Sequence, residues 1–361
     1  MAGAVAECYD SSRFMHLGEI ALSPETEHLM VQASRVYAEN FDGRTWYGRC
    51  IFISWYCPLN CTFCFRSTSS HKGSHPEQQR RSMGSLLLEA LFCRVFRWRI
   101  EFLTGGYNTM PFDQLLEVAR NVAAVYGEKI WLNIGVLSPQ QLERCKPFVK
   151  GICSSMETLH PELHAKVCPK KPIQLYDDMM ERMDSLGGLK KSIAVIVGLG
   201  DTPNDIHYLY DFIRKHRLDR IPLYALKPVR GSPFTKGPSV EEYVRWIASI
   251  RIQFPALEII AGTNLRRSEE VGYLIRAGAN AVTKFPATKQ FATKKAKLVE
   301  KLIRDEGREF TSNLTVLPDI DWDSEIDALD IGDIYKAEMK KKLPLYLKSF
   351  QNPADKDPDI V

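Results

Sequence analysis

From residue 50 to about residue 306 the chain alternates short apolar runs with longer amphipathic stretches. The apolar runs at 50–55, 99–104, 129–135, 150–156, 191–197, 220–226, 257–261 and 279–283 have the length and bounding residues of buried strands. Between them, segments such as MPFDQLLEVARNVAAVY and PIQLYDDMMERMDSL repeat apolar residues at i, i+3, i+4 and i+7, the spacing of an amphipathic helix. Thr202 and Ser239 stand where N-caps belong, before PNDIHYLYDFI and VEEYVRWIASI. Eight strand–helix units predict an α/β fold, a (β/α)8 TIM-type barrel with its active groups at the C-terminal ends of the strands. A six-strand partial barrel is the alternative. The same pattern divides the chain into a helical N-terminal extension over 1–48, the barrel over 49–306 and a C-terminal extension over 307–361. SPETEHLMVQASRVYAENF is the clearest part of the first. In the last, LPDIDWDSEIDALDIGD reads as an acidic loop, followed by a helix, IYKAEMKKKLPLYL, and a short polar tail. Lys340–Lys342 reads as a solvated helix face or as a strip for docking an acidic carrier.

Composition adds limits. The 361 residues are 45% hydrophobic and 25% charged, which suits a packed globular chain. Forty-eight basic against 44 acidic residues leave a net charge of only +4. No basic stripe or appended RNA-binding segment is visible, so nucleic acid is not the expected partner. The N-terminus lacks a basic segment followed by an apolar one, and no apolar run is long enough to span a bilayer. A cytoplasmic chain without a membrane is expected, its nine cysteines serving as thiols or metal ligands rather than disulfides.

Three of those cysteines are grouped. Cys57, Cys61 and Cys64 form C-x3-C-x2-C directly after the first apolar run. Three thiolates in one loop can hold three corners of an iron–sulfur cubane and leave the fourth iron open. Zinc would want a fourth ligand at short spacing, and His71 is the nearest. The spacing, with Phe63 before the third cysteine, resembles the signature of the radical S-adenosylmethionine (SAM) enzymes. The resemblance implies a [4Fe–4S] cluster on Cys57, Cys61 and Cys64, with SAM on the open iron. SAM is then cleaved to a 5′-deoxyadenosyl radical that takes hydrogen from an unactivated carbon.

Motifs at later strand ends extend the likeness over roughly residues 45–290. Thr104-Gly105-Gly106-Tyr107 resembles the turn that meets the SAM amino group, with Tyr107 in place of the usual acid. Ser155-Met156-Glu157-Thr158 resembles the biotin synthase branch, which includes hydrogenase-maturation and methylornithine-forming enzymes, and implies a SAM contact for Glu157. Ile196 and Gly198, with Asp201 beyond them, match an element that packs on the adenine ring. His160 and His164 read as loop and helix residues. Lys227, Arg230, Asn264 and Arg266, together with Tyr107, stand where a substrate would lie, and the cations suit a carboxylate.

The departures from biotin synthase matter as much. Where that enzyme carries cysteines for a second cluster, this chain has Trp131 and Ser192. No cysteine follows Cys168, so a C-terminal C-x2-C is missing too. Cys145, Cys153 and Cys168 flank the fourth strand and are candidates for an auxiliary iron–sulfur cluster, with Cys8 in a segment able to fold over the barrel mouth. The bland reading makes these thiols small buried hydrophobes. On this basis sulfur insertion in cofactor biosynthesis, of the lipoyl or biotin synthase type, stands first. A radical isomerase or lyase acting on an amino acid or small precursor, resembling methylornithine synthase, stands second. A non-catalytic cluster-binding module is the reading from another class. A small-molecule or carrier-bound substrate, an electron donor such as ferredoxin or flavodoxin, and a partner subunit are the expected partners. The loop from Phe65 to Met83 is expected to order on ligand binding.

Overall fold

The computed structural model describes residues 20–68 and 75–351. Eight parallel strands close into a ring: β1 (Arg44–Phe52), β2 (Arg99–Thr104), β3 (Ile130–Asn133), β4 (Val149–Glu157), β5 (Lys190–Val197), β6 (Arg220–Ala225), β7 (Glu258–Gly262) and β8 (Ala281–Thr283). Each pairs with its sequence neighbour, and β1 pairs with both β2 and β8, so the full barrel holds and the six-strand alternative falls. A helix follows most strands and covers the ring from outside, with the largest apolar core between the two layers. Smaller clusters fill the barrel interior: Cys50, Phe102, Trp131, Cys153 and Ala194 form one, Trp46, Ile260 and Ala281 another.

The strands lie where the apolar runs put them, with one exception. β1 starts at Arg44 rather than at residue 50, so the boundary expected after residue 48 falls inside it. The cause is a ninth strand, β9 (Glu309–Phe310), which pairs with Arg44 and Thr45 before β1 reaches β8. Arg44, Thr45 and Arg49 break the apolar run, and a partner far along the chain supplies the pairing that local sequence does not advertise.

The N-terminal helix, Pro24–Asn40, begins at Ser23, whose side chain accepts from the Thr26 N–H. It buries Met30, Ala33 and Tyr37 and docks on the helix Val240–Gln253. Thr26 Oγ1 donates to Glu241 at 2.7 Å, and Arg245 pairs with Glu25 at 2.9 Å. Ser239 caps Val240–Gln253 through the Glu242 N–H, and Thr202 caps the short turn leading into Ile206–His216. The acidic segment expected as a loop contains a helix, Trp322–Asp327. Asp321 caps it, and Trp322 and Ile326, four residues apart, are both buried.

The final helix, Asp333–Gln351, packs along Met83–Val95. Phe350 is only 2% exposed, and its ring lies 5.0 Å from Phe92, 5.2 Å from Phe96 and 5.1 Å from Phe291. The C-terminal extension is therefore part of the barrel's outer core. Phe350→Ala is expected to lower stability by about 3–5 kcal/mol. Leu345→Ala, at a side chain 73% exposed on the same helix, should change it by no more than about 0.5 kcal/mol. Urea midpoints of the two variants check the difference.

Candidate active site

At the C-terminal end of the barrel the strand ends surround a cavity of about 890 Å³. Its wall begins with the cysteine loop. Past β1, Ile53 N–H donates to Thr104 O at 2.7 Å, which keeps the chain on the β2 edge as it turns away. Thr62 N–H then donates to Val167 O at 2.9 Å and ties the loop's far side to the helix Pro161–Val167. Beneath it lies the turn after β2. A methyl on Gly106 would stand 1.9 Å from Tyr56 O and 2.7 Å from Cys57 Cα, so only glycine lets the two loops touch. Gly105 is similarly close to Ile53, and the ring of Tyr107 lies against Gly135.

Cys57, Cys61 and Cys64 all line this cavity, with Cys61 buried and the other two partly exposed. Among the described residues no three His, Cys, Asp or Glu side chains are gathered into a group that would itself hold a metal ion. A hydrogen bond from Cys168 and the nearby Lys171 ammonium hold the Cys61 thiol below its ordinary value, against burial. Burial pushes Cys64 up. His71 lies outside the described residues, as does Cys8; the 65–83 loop is described only in part.

Across the cavity stands Glu157, the last residue of β4. The pairing with β5 slips by one residue between Ser155 and Glu157, and Glu157 takes a left-handed backbone, φ 66°. That conformation costs a non-glycine residue about 1 kcal/mol and is held by its surroundings. Lys171 Nζ donates to Glu157 Oε1 at 2.7 Å and to Ser155 O at 2.6 Å. Burial alone would lower the Lys171 ammonium, but Glu157 holds it above the usual lysine range. Lys171 is in turn positioned by His164, whose ring spans Thr158 O at 3.0 Å and Lys171 O at 2.6 Å. His160 caps Pro161–Val167 through the Leu163 N–H. Both histidines thus serve the local backbone.

Phe63, Thr104, Gly105, Gly106, Tyr107, Glu157 and Ile196 line the cavity together with the cysteines. So do Lys227, Arg230, Asn264 and Arg266, brought over from β6 and β7. Gly198 and Asp201 stand behind the wall. Gly198 sits against Pro238, and Asp201 accepts from the Thr158 hydroxyl with its carboxyl raised by burial. The three cysteines considered for an auxiliary cluster are not brought together. Cys145 packs in the outer core at the end of Pro139–Cys145, with its thiol pushed up to about 11 by burial. Cys153 faces the barrel interior, pushed up to about 12, and receives the Ser192 hydroxyl at 3.5 Å. Cys168 lies against Cys61. Sequence spacing flanks a strand with all three; it does not say that helix end, strand interior and loop face different ways.

Several lining residues had no local signal. Asn133, Ser155, Tyr224 and Lys284 come from strand ends or the position after one, whereas Lys171 precedes the helix Ile173–Leu186 and Tyr176 lies within it. Asn133 donates to Ser155 Oγ at 2.9 Å, and Thr104 Oγ1 donates to Asn133 O at 2.9 Å, a polar ledge across β2, β3 and β4. Polar residues at the C-terminal ends of otherwise apolar strands were the available clue.

These features, a closed (β/α)8 barrel with a cysteine triplet and a glycine-backed turn at one mouth, define an enzyme scaffold of the radical SAM kind. The sequence pattern of the Radical SAM superfamily matches residues 51–213, and that of the Biotin and Thiamin Synthesis associated domain matches residues 222–307. An uncharacterized protein of Methanocaldococcus jannaschii is 33% identical over 288 residues, 79% of either chain. The biotin synthase of Gloeobacter violaceus is 30% identical over 245 residues, covering 63% of this chain and 73% of that one. Among solved structures, a methylornithine synthase superposes with a TM-score of 0.67 at 18% identity, over 81% of this chain and 91% of its own. A FeFe-hydrogenase maturase from Carboxydothermus hydrogenoformans gives 0.66 at 20% identity, over 92% and 86%. The chain belongs to the radical SAM superfamily, in its biotin synthase-like branch. Membership implies a [4Fe–4S] cluster and SAM. The donor chemistry of the cavity suits them: three soft sulfur donors stand on one wall, beside the turn that carries Gly105 and Gly106. No helix among the described residues is long and apolar enough to cross a membrane.

The tight approach at Gly106 yields a direct expectation. Gly106→Ala should force the two loops apart and cost about 1–3 kcal/mol, as overpacking does. Gly332→Ala, where a methyl meets only ordinary contact with Tyr335, should be near neutral. Thermal unfolding of both variants, with protease cutting within residues 53–64 as the local readout, decides whether the loops depend on that contact.

Proposed function

We propose that this radical SAM enzyme rearranges or fragments the carbon skeleton of a small anionic precursor, the reading ranked second on sequence. One observation carries the change of order. The barrel interior, where a sulfur-donating second cluster would need room and ligands, is filled by Trp131 with the Arg220 guanidinium stacked 3.8 Å from its ring centroid. The spare cysteines stand apart around it. Likeness to biotin synthase is what favours the second reading, sulfur insertion.

In this proposal Cys57, Cys61 and Cys64 hold the cluster, and Phe63, the Gly105–Gly106 backbone, Glu157 and Ile196 hold SAM. When bound, the two together supply a radical able to take hydrogen from an unactivated carbon. The chain's own groups set up that chemistry. Lys171 fixes the position of the Glu157 carboxylate through their 2.7 Å ion pair. Phe52, Phe102 and Leu226 give the cavity apolar walls that exclude water from a reactive site. Lys227, Arg230 and Arg266 receive the substrate's negative charge at the mouth. The electron comes from a small donor protein such as a ferredoxin or flavodoxin, and the chemistry is placed in the cytoplasm.

Iron analysis separates the two readings. Anaerobically reconstituted wild type is expected to hold about four irons per chain and to form 5′-deoxyadenosine from SAM when reduced. The Cys57/Cys61/Cys64→Ala triple variant should retain almost none. A low-temperature EPR signal from a cluster kept by that variant would sink the rearrangement proposal and put sulfur insertion in its place.

A further inference from the structure

The cavity wall contains an imbalance that the cysteine chemistry does not use. Six basic side chains line it, Arg66, Lys171, Lys227, Arg230, Arg266 and Lys284, against a single carboxylate, Glu157. Lys171 takes up that carboxylate. Lys227, Arg230 and Arg266 are solvent-exposed at the mouth. Lys284 differs from them in place and surroundings.

Lys284 follows β8 directly, in a left-handed backbone conformation with φ 66°. Its ammonium stands over the Tyr224 ring at 4.5 Å from the centroid, with Phe102 at 5.5 Å and Phe52 at 5.6 Å. Its Nζ donates to Cys50 Sγ at 3.2 Å, a weak acceptor. It makes no salt bridge within 4 Å among the described residues. Glu101, the carboxylate behind it, accepts from three other side chains. Cys50 Sγ donates to Glu101 Oε2 at 2.8 Å, and the hydroxyls of Thr283 and Tyr224 donate to the same group. Burial alone would lower the Lys284 ammonium, yet Cys50 and Glu101 hold it above the ordinary lysine value, so it stays charged. An ammonium carries three donors, and among the described residues Cys50 takes one. A half-buried ammonium ringed by three aromatic faces on the cavity wall is placed to meet an anionic group.

At the other end, Lys227 and Arg266 line the same mouth, and partial burial together with the Arg266 charge pushes Lys227 below its usual value. Two like charges held together at the mouth point the same way as the lone ammonium inside. We infer that Lys284 binds one anionic group of the substrate at the cavity's inner end, and that the substrate is an elongated small molecule whose second anionic group meets Lys227 and Arg266 at the mouth. Carboxylate and phosphate share the needed chemistry. The inference deepens the proposed function by naming the substrate class, an α,ω-dianion.

The test is calorimetric titration of the cluster-reconstituted, SAM-bound protein with linear dicarboxylates from succinate to pimelate, with inorganic phosphate, and with 1,5-diaminopentane. Wild type should bind a dicarboxylate of preferred length more tightly than inorganic phosphate and should ignore the diamine; phosphate binding with no length preference among the dicarboxylates overturns the elongated substrate. Lys284→Met should weaken the anion about tenfold to a hundredfold, the loss of one charge-assisted contact. Lys284→Arg should recover most of it, and SAM affinity should be alike in all three. Lys284→Gln is the second neutral variant if the methionine form fails to fold. Equal anion binding by wild type and the neutral variant, binding of the diamine alone, or no anion binding to wild type overturns the inference. A wild type that binds the anion but forms no 5′-deoxyadenosine sinks the catalytic reading and leaves this one standing, because the titration needs no turnover.

Discussion

Everything in this molecule depends on β1 being held from both sides. A parallel sheet has both faces to bury and two raw edges to hide, and pairing β1 to β2 and to β8 removes the edges at a stroke. Closure also dictates where chemistry can sit. Parallel strands all end at one mouth, so the cysteine loop after β1, the glycine turn after β2, Glu157 at the end of β4 and the basic residues beyond β6 and β7 meet there although more than 200 residues separate the first from the last. The loops contribute variety, while the ring contributes their meeting.

The parts of this arrangement that were legible in the chain are those whose signal is local. Eight strands can be placed from eight apolar runs, and the cysteine triplet declares itself because its three ligands sit within one loop. The parts that were not legible owe their existence to closure. Arg44 and Thr45 belong to β1 only because β9 comes back to pair with them. Lys171 and Lys284 look like any other lysines until the ring seats one against Glu157 and the other over Tyr224. Cysteine spacing misled for the converse reason. Cys145, Cys153 and Cys168 are near in sequence, yet helix end, strand and loop send them into three separate clusters.

Polar groups inside the barrel show how the fold handles charge next to reactive chemistry. Glu101 is fully buried but fully partnered by Cys50, Thr283 and Tyr224, and Arg220 lies flat on Trp131 while its NH2 reaches the Glu101 backbone carbonyl. Such a network rigidifies the interior because each member would be costly if released. The cavity above it then inherits firm walls.

The pairing of β9 with β1 has a consequence for how the protein comes into being. Residues 44 and 45 need residues 309 and 310, and residues 46–48 need 281–283, so the first strand of the barrel is also the last to be enclosed. During synthesis from the N-terminus the cysteine loop emerges early and waits, attached to a strand with an open flank, until nearly the whole chain has left the ribosome. The strand that carries the cysteine loop thus reaches its full pairing only once residues 281–310 have been made.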